Sequence, residues 1–286
     1  MSITGKTTVV GIFGHPVEHS FSPLMHNTAF QHLNLNYCYV PFPVHPDRLG
    51  EAVTAIRALG LRGVNVTIPH KQGVIPYLDE LSPEARIIGA VNTIVNQEGC
   101  LKGYNTDGQG FVRSLKEDGG TEPRDKTVIL LGAGGSARGV GVQLALAGVK
   151  KVYLVSRTPE KGEEIAQVIM DNSAAQAEAL PWTKEALELA LETAHVLVNT
   201  TPIGMYPYYA SVPPVVTDLL IPELLVADLV YNPMETGFLL AAKEKGCATL
   251  SGLGMLLHQG TIAFELWTGS VAPVMVMRKV LRGCVE

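Results

Sequence analysis

The stretch from Thr127 to Val140 reads TVILLGAGGSARGV and decides the fold of the second half of the chain. An apolar run typical of a buried strand ends at Leu131, and a glycine-rich turn and the start of a helix follow. Gly132 permits the tight turn, Gly134 lets the backbone approach a pyrophosphate, and the small Ala137 lets the helix pack close to the strand. The pattern predicts a dinucleotide-binding loop formed by Gly132, Ala133, Gly134, Gly135, Ser136 and Ala137.

The next predicted strand indicates which dinucleotide binds. It is followed by Ser156, Arg157 and Thr158, at the place where an NAD-binding site usually carries an acidic residue for the ribose 2′-hydroxyl. Arg157, with Lys161 one turn into the next helix, can pair with a 2′-phosphate instead, so the sequence favours NADP. The alternative is that both cations are solvated surface residues near a helix start.

A repeated strand and helix pattern extends on both sides of this stretch. Strands are predicted at 9–13, 37–41, 63–68, 90–95, 128–131, 152–155, 196–199 and 225–229. One helix is predicted to begin at Ser22, with a serine side-chain cap. Further helices are predicted at 47–59, 108–118, 137–147, 160–170, 184–191, 253–267 and 274–281. Strands separated by helices usually pair in parallel. The predicted fold class is therefore α/β, with two open α/β domains, the first mainly parallel and the second of the Rossmann type, and with an interdomain cleft as the default ligand site.

Composition narrows the classes of partner. The chain has 286 residues, of which 47% are apolar and 17% charged, and its formal net charge is −5. Because a basic excess is missing, neither nucleic acid nor a membrane surface is an expected partner. Pro, Gly or a charge breaks every hydrophobic run, so we expect no spanning helix and a cytoplasmic protein. The 4 cysteines lie far apart in the sequence and predict neither a zinc knuckle nor a disulfide framework.

Polar side chains cluster where strands of the first half end. They lie in four segments, namely 20–22, 65–71, 89–93 and 103–107. Asn65 and Thr67 point to the same side of their strand, and the ends of strands line the ligand crevice of an open sheet. Hydroxyls, amides, one ammonium and one carboxylate at such a place suit a small polyhydroxylated acid. Taken singly, the same residues have ordinary explanations: Ser22 as a helix cap, Lys71 as an exposed cation, and Asn92 and Asp107 as turn residues.

The histidines suggest a metal site that the local sequence disfavours. His15 and His19 have a spacing that would place two ligands on one helix face, and His26 and His32 follow. Pro16 and the loop character of 14–20 argue against a helix there, and no carboxylate or cysteine completes a ligand set. We therefore predict no metal.

Seven ordered segments together resemble the shikimate dehydrogenase family over nearly the whole chain. They are SFSP at 20–23, NVTIPHK at 65–71, GAVNT at 89–93, NTDG at 105–108, the Gly132 loop, YNP at 231–233 and GLGMLLHQ at 252–259. The resemblance implies reversible, NADP-linked reduction of 3-dehydroshikimate to shikimate, a step in making aromatic amino acids. The one departure noted in the cofactor half is Ser156, where the family usually has Asn before the Arg-Thr pair.

The resemblance also implies residue roles and domain limits. Ser20 and Ser22 would bind the substrate carboxylate, and Lys71 would be the acid/base, with Asp107 as its orienting partner. Further substrate contacts are expected from Asn65, Thr67, Asn92, Tyr231 and Gln259. Contacts with the nicotinamide end of the cofactor are expected from Leu229, Gly252 and Met255. The substrate domain would comprise residues 1–107, completed by C-terminal helices at 254–286, and the NADP-binding domain residues 108–253.

Three alternatives remain open on the sequence. A quinate/shikimate dehydrogenase of broader specificity differs by one ring hydroxyl of the substrate. Methylenetetrahydrofolate dehydrogenase also has two α/β lobes and a catalytic lysine, but the serine pair at 20–22 and the run at 105–107 disfavour it. A non-catalytic sensor of nicotinamide cofactor would have no need of Lys71 and Asp107. The sequence also leaves open whether two chains form a homodimer.

Overall fold

The computed structural model describes residues 3–214 and 216–285, without the side chain of Val285. The chain divides into two compact units. The first contains residues 3–106 and 259–284, and the second contains Asp107–His258. The second boundary falls inside a helix, between His258 and Gln259, rather than at the helix start near residue 254.

The first unit contains a six-stranded sheet and its helices. Its elements are β1 (Thr8–Gly14), α1 (Ser22–His32), β2 (Tyr37–Pro43), α2 (Leu49–Ala58), β3 (Gly63–Val66), β4 (Glu80–Leu81), α3 (Pro83–Ile88), β5 (Thr93–Gln97) and β6 (Cys100–Tyr104).

The strand order of this sheet is β2-β1-β3-β5-β6-β4. Strand β1 pairs in parallel with β2 and β3, and β4 pairs in parallel with β6, whereas β5 is antiparallel to both of its neighbours. The sheet is thus mainly parallel, as predicted, with an antiparallel hairpin inserted. That hairpin turns at Glu98 and Gly99, which both have positive φ, as a two-residue turn of type I′ requires.

The second unit holds the other six-stranded sheet. Its elements are α4 (Asp107–Glu117), β7 (Thr127–Leu131), α5 (Gly135–Leu146), β8 (Lys151–Ser156), α6 (Pro159–Asn172), β9 (Gln176–Pro181), α7 (Lys184–Leu191), β10 (Val196–Asn199), β11 (Leu225–Asp228), α8 (Gly237–Glu244) and β12 (Ala248–Leu250). Helix α9 (Gly252–Thr268) crosses the unit boundary, and α10 (Val274–Val285) ends the described chain.

All strand pairs of the second sheet are parallel. The order β12-β11-β10-β7-β8-β9 is the 3-2-1-4-5-6 order of a doubly wound dinucleotide-binding sheet, with β7 as the first strand. The point where the strand order reverses lies between β7 and β10, and the glycine-rich loop follows β7. The predicted Rossmann-type unit is confirmed.

Each unit has its own apolar core. In the first, α2 buries Leu49, Val53 and Ile56, the three-to-four spacing read from the sequence, against strand residues such as Val64 and Ile94. In the second, strands β7, β8, β10 and β11 are buried along their lengths, because helices of a doubly wound fold cover both faces of the sheet. None of the described helices is long and apolar enough to span a membrane.

The predicted side-chain cap of α1 is wrong. The helix begins at Ser22 itself, Phe21 occupies the cap position, and no side chain there accepts a capping hydrogen bond. Pro23 in the first turn has no N–H that would need a cap. The Ser22 hydroxyl is therefore not used for capping.

Candidate active site

Ser20 and Ser22 lie at the start of α1, between β1 and the body of the helix. The Ser22 N–H donates to Ser20 Oγ at 3.3 Å, so the two serines are tied together. Ser22 is buried and Ser20 is partly exposed. The Ser22 side chain lies close to the Tyr39 hydroxyl of β2 and partly offsets the rise that burial causes in the pKa of Tyr39. Two neighbouring hydroxyls at a loop end are suited to hold one carboxylate.

Asn65 lies on β3, fully within the sheet. Its Oδ1 accepts a hydrogen bond from the Tyr39 hydroxyl at 2.8 Å. Its Nδ2 donates to the carbonyl of Asn92 at 3.2 Å and to Thr93 Oγ1 at 3.0 Å. Both amide hydrogens of Asn65 therefore have partners, and only its amide oxygen has capacity for a further bond.

Asn92 lies just before β5 and is 3% exposed. Its Oδ1 accepts from the Thr106 N–H at 2.8 Å, and its Nδ2 donates to Thr106 Oγ1 at 2.9 Å. The Thr93 hydroxyl also donates to Asn92 Oδ1 at 3.2 Å. Because Thr106 directly precedes α4, this side chain fixes the backbone that leads into Asp107.

Lys71 follows β3 in a tight turn and is partly buried. Its carbonyl accepts from the Val91 N–H at 2.8 Å, which places the lysine segment beside 90–92. The buried His70 ring donates from Nε2 to the Val44 carbonyl at 2.7 Å. The backbone N–H of His70 donates to the Thr67 carbonyl. His70 anchors the turn that carries Lys71, a role that the sequence did not single out. Two predicted residues of the first unit, Asn65 and Asn92, thus belong to one hydrogen-bonded cluster. Ser20 and Ser22 are tied to each other at the start of α1, and Lys71 lies on a segment that adjoins Asn92.

Gln259 lies in α9, in the first unit, and is 8% exposed. The next residue, Gly260, packs against α1, since a Cβ built there would lie 2.3 Å from Met25 Cε. Glycine at 260 therefore lets α9 approach α1 closely. Asp107, at the start of α4, and Tyr231, in the loop after β11, are both partly buried and belong to the second unit.

The glycine-rich loop of the second unit has room for a phosphate group. Gly132 has φ +111°, and a Cβ there would approach Thr201 Cγ2 at 2.9 Å, so glycine is required at this position. Cβ atoms built at Gly134 and Gly135 would meet no described atom within 4 Å. The open loop leads into α5, whose first backbone N–H groups lack helical partners and can bind an anion. The residues present fit the pyrophosphate of a dinucleotide.

The side chains around this loop divide into packed and exposed ones. Ala137 is fully buried, which lets α5 lie close to the sheet, whereas Ser136 is exposed and Ala133 is partly exposed. After β8, the buried Ser156 donates from Oγ to the Thr158 carbonyl at 2.7 Å. Arg157, Thr158 and Lys161 are exposed, and neither cation forms an ion pair with a described residue. Both are therefore available to an external anion.

Asp228, at the end of β11, is a buried carboxylate that the sequence analysis missed. Its Oδ1 accepts from Asn199 Nδ2 at 2.9 Å and from the Val230 N–H at 3.0 Å. Its Oδ2 accepts from Thr236 Oγ1 at 2.7 Å. Burial raises the pKa of Asp228 to about 6, although these three donors act in the opposite direction. An Asp at the end of an apolar run was the only available signal.

Asp228 connects the loops that follow two neighbouring strands. Asn199 in turn accepts at Oδ1 from the Thr201 hydroxyl at 2.6 Å, and Thr200 Oγ1 donates to the Leu131 carbonyl at 2.7 Å, next to Gly132. The loop after β11 carries Leu229 and Tyr231. The carboxylate therefore fixes both loops at the ends of β10 and β11.

Gly252 and Met255 begin helix α9. A Cβ built on Gly252 would lie 2.3 Å from the Leu229 carbonyl oxygen, so only glycine allows this approach. Met255 is partly buried, as is Leu229. Of the three residues predicted to contact the nicotinamide end of the cofactor, Leu229 and Gly252 are therefore packed together.

The histidines considered as metal ligands differ in exposure. His15, His19 and His32 are exposed, whereas His26 is fully buried. Among the described residues, no group of three or more His, Cys, Asp or Glu is placed to hold a metal ion.

A doubly wound sheet with an open glycine-rich loop, joined to a second α/β unit with a lysine and polar side chains at its strand ends, defines a two-domain dinucleotide-binding protein. Comparison with known proteins identifies the family. Residues 12–94 match the model of the shikimate dehydrogenase substrate binding domain, and residues 252–282 match that of the shikimate 5′-dehydrogenase C-terminal domain.

Close relatives agree with these matches. A shikimate dehydrogenase (NADP(+)) of Desulforamulus reducens is 56% identical over 279 residues, covering 98% of this chain and 96% of the relative. The crystal structure of shikimate 5-dehydrogenase from Listeria monocytogenes with shikimate and NAD has a TM-score of 0.94 at 40% identity, covering 98% of each chain. A shikimate dehydrogenase solved with NADP+ has a TM-score of 0.91 at 42% identity, covering 100% of this chain and 98% of that one. The chain belongs to the shikimate dehydrogenase family.

Proposed function

We propose that this protein catalyses the reversible, NADP-linked reduction of 3-dehydroshikimate to shikimate in aromatic amino acid biosynthesis. The observation that carries the proposal is the buried cluster around Ser22, Asn65 and Asn92 beside Lys71, in a chain 56% identical to a shikimate dehydrogenase. Hydroxyl and amide groups at the ends of strands are the groups needed to bind a small polyhydroxylated acid.

We assign the substrate carboxylate to Ser20 and Ser22, whose hydroxyls lie at neighbouring positions before α1. The ring hydroxyls are assigned to Thr67, Asn92, Tyr231 and Gln259. Asn65 enters chiefly as a support, because both of its amide hydrogens already have partners. A contact of its amide oxygen with the substrate stays a prediction.

Lys71 is assigned as the general acid/base, with Asp107 as its orienting partner. In the reduction, the Lys71 ammonium donates a proton to the oxygen of the ketone, and in the oxidation its amine receives the proton of the hydroxyl. The hydrogen bonds of His70 hold the turn that carries Lys71, so the ammonium is presented from a fixed backbone.

NADP would be held by the Gly132 loop and by the cations after β8. When bound, its nicotinamide supplies the hydride acceptor for oxidation of the alcohol carbon and the donor for the reverse reaction. The N–H groups at the start of α5 bind the pyrophosphate, and Arg157 with Lys161 binds the 2′-phosphate. In this assignment residues 1–107 with 254–286 form the substrate domain and residues 108–253 form the cofactor domain. Tyr231 of the cofactor domain is assigned to the substrate, and Met255 of the substrate domain is assigned to the cofactor.

The test is reduced-nicotinamide absorbance with shikimate and with quinate, each with NADP and with NAD. We expect rapid turnover with shikimate and NADP only. Comparable turnover of quinate would replace the proposal by an enzyme of broader specificity. Cofactor binding without turnover of either acid would replace it by a cofactor sensor.

Two further proposals concern the setting of the enzyme. We expect it to act in the cytoplasm, which fractionation of the source cells tests directly. Light scattering of the purified chain distinguishes a homodimer, which the sequence leaves open, from a monomer.

A further inference from the structure

Tyr39 on β2 is a buried tyrosine to which neither the sequence nor the proposed function gives a role. It is 2% exposed, and its ring is stacked on His26 of α1, with centroids 4.6 Å apart and planes 2° from parallel. On another side lies Trp267 of α9, at 6.0 Å between centroids. Asn27 of α1 also donates to the Tyr39 carbonyl at 2.9 Å and accepts from its N–H at 2.8 Å. The residue is fixed in backbone and ring.

The Tyr39 hydroxyl lies within the proposed substrate site. It is 2.8 Å from Asn65 Oδ1, and the Ser22 side chain lies close to it. The direction of the bond to Asn65 follows from the Asn65 amide. Its Nδ2 must face the Asn92 carbonyl, which can only accept, so its Oδ1 faces Tyr39. Tyr39 therefore donates its single proton to Asn65.

The chain of hydrogen bonds continues from Asn65 to the other strand end. Asn65 donates to Thr93 Oγ1 at 3.0 Å, and Thr93 donates to Asn92 Oδ1 at 3.2 Å. Asn92 and Thr106 complete the chain. Every step lies in the first unit and is buried. The phenol hydroxyl is thus connected, through Asn65 and Thr93, to the amide proposed to bind a ring hydroxyl.

We propose that Tyr39 is a positioning residue of the substrate site, an inference that rests on the proposed function. Through its bond to Asn65, and from there through Thr93, it fixes the orientation of the Asn92 amide. The Tyr39 proton stays on Asn65 Oδ1 when the substrate binds, because two acceptor oxygens 2.8 Å apart need a proton between them. The heavy atoms of this part of the site are therefore in place before the substrate arrives.

Replacement of Tyr39 by Phe removes the hydroxyl and keeps the ring between His26 and Trp267. We expect the KM for shikimate to rise five- to tenfold, with kcat and the KM for NADP changed less than twofold, because loss of one hydrogen bond is worth about a factor of five or ten. The matched control is Tyr37→Phe. Tyr37 lies on the same strand, and its hydroxyl donates to the Trp267 carbonyl at 3.3 Å, away from the serines.

The coupling of Tyr39 to Thr93 separates positioning from a general effect on stability. In a Thr93→Val background, Tyr39→Phe should raise the KM for shikimate by less than twofold, because the chain of hydrogen bonds to Asn92 is already broken. Independent, multiplicative effects in the double variant would overturn the assignment. A structural role alone would lower the melting temperature and leave this coupling absent.

Thr93→Val breaks the same chain one step further on, with a side chain of the same shape, and serves if Tyr39→Phe does not fold. It should raise the KM for shikimate by a similar factor. If the unmodified chain turns over shikimate and the KM is unchanged in either folded variant, the role of Tyr39 is overturned and the proposed function is not. If the unmodified chain itself failed to turn over shikimate with NADP, the proposed function would be refuted, and the inference with it.

Discussion

The two units are built to bind their ligands in different ways. In the first unit, the binding groups are side chains buried in a hydrogen-bonded cluster. Asn92, for example, is hydrogen-bonded to both Thr93 and Thr106. In the second, the binding groups are backbone N–H groups of an open loop and exposed cations such as Arg157. The comparison indicates that substrate recognition depends on single side-chain atoms, whereas cofactor recognition depends on backbone shape and tolerates more change in side chains.

One buried titratable group of each unit has a pKa that burial shifts, and the two shifts have opposite consequences for stability. His26 of the first unit lies among aromatic rings, and neither ring nitrogen has a hydrogen-bond partner among the described residues. Burial lowers the pKa of His26 to about 3, whereas Asp228 of the second unit has three donors and a pKa raised to about 6. Stability of the protein should therefore depend on pH through both, with opposite signs.

The largest expected effect tests the chemistry assigned to the first unit. Lys71→Ala should lower kcat for shikimate oxidation by about 10³-fold, with a milder rise in the KM for shikimate, because a general acid/base contributes 10² to 10⁴. Steady-state kinetics measure both. Lys102→Ala is the control, since that lysine pairs with Glu80 at 3.2 Å and has no assigned role. An unchanged kcat would remove Lys71 from the mechanism.

His26→Phe should change the acid stability of the protein. Below pH 6.5 the unfolded chain binds a proton at position 26 that the folded chain does not, so stability is lost as pH falls from 6.5 toward 3. The variant lacks this loss, and relative to the unmodified chain it should gain about 2 kcal/mol between pH 6.5 and pH 4.5. Urea unfolding over this range measures it.

The control for His26 is His32→Phe, at an exposed position of the same helix. It should leave the pH dependence as it was. A parallel dependence in His26→Phe and the unmodified chain would show that the buried ring is protonated in the folded state after all.

Asp228→Asn tests the second unit in the other direction. Between about pH 4 and pH 6 the folded chain holds a proton on Asp228 that the unfolded chain has lost, so ionisation costs stability as pH rises through this window. The variant should gain about 2 kcal/mol relative to the unmodified chain between pH 4 and pH 5.5. Asp171→Asn, on an exposed turn of α6, is the matched control. The comparison fails if both variants show the same slope.

The smallest expected effect tests how far the cofactor site of the second unit tolerates a change of side chain. Arg157→Ala should raise the KM for NADP about tenfold and leave the KM for NAD nearly unchanged, because one charge-assisted contact to the 2′-phosphate is lost. Kinetics with each cofactor at saturating shikimate measure the ratio. Arg86→Ala, an exposed arginine at the end of α3, should change neither value. Equal effects on NADP and NAD would mean that Arg157 does not distinguish them.

Local patterns predicted much of the fold. The strand, glycine turn and helix at 127–140 were sufficient for the doubly wound unit, because each step of that motif depends on neighbours in sequence. The helix at 49–58 followed from the spacing of Leu49, Val53 and Ile56. Elements with weak periodicity were missed, among them β6, β9 and β12, which have partly exposed positions and little apolar contrast.

The hairpin of β5 and β6 had a signal that the strand patterns hid. Glu98 and Gly99 form its two-residue turn, but Glu is an unusual residue at positive φ and does not mark such a turn as Asn or Asp would. The antiparallel pairing of β5 with β3 is also non-local. Strand order and direction depend on which edge of the sheet is free when a strand joins it. A short window of sequence carries no information about that edge.

The sequence by itself determined the family, the glycine-rich loop and the residues to which roles are assigned, because motif spacing and residue type are local properties. Only the tertiary structure decided how these residues are held. It removed Ser22 from the helix-cap role, used both amide hydrogens of Asn65 inside the sheet, and revealed Asp228 as the group that ties two loops together. Hydrogen-bond partners far apart in the chain are chosen by packing, since a buried polar group must bond to whatever the fold places within reach.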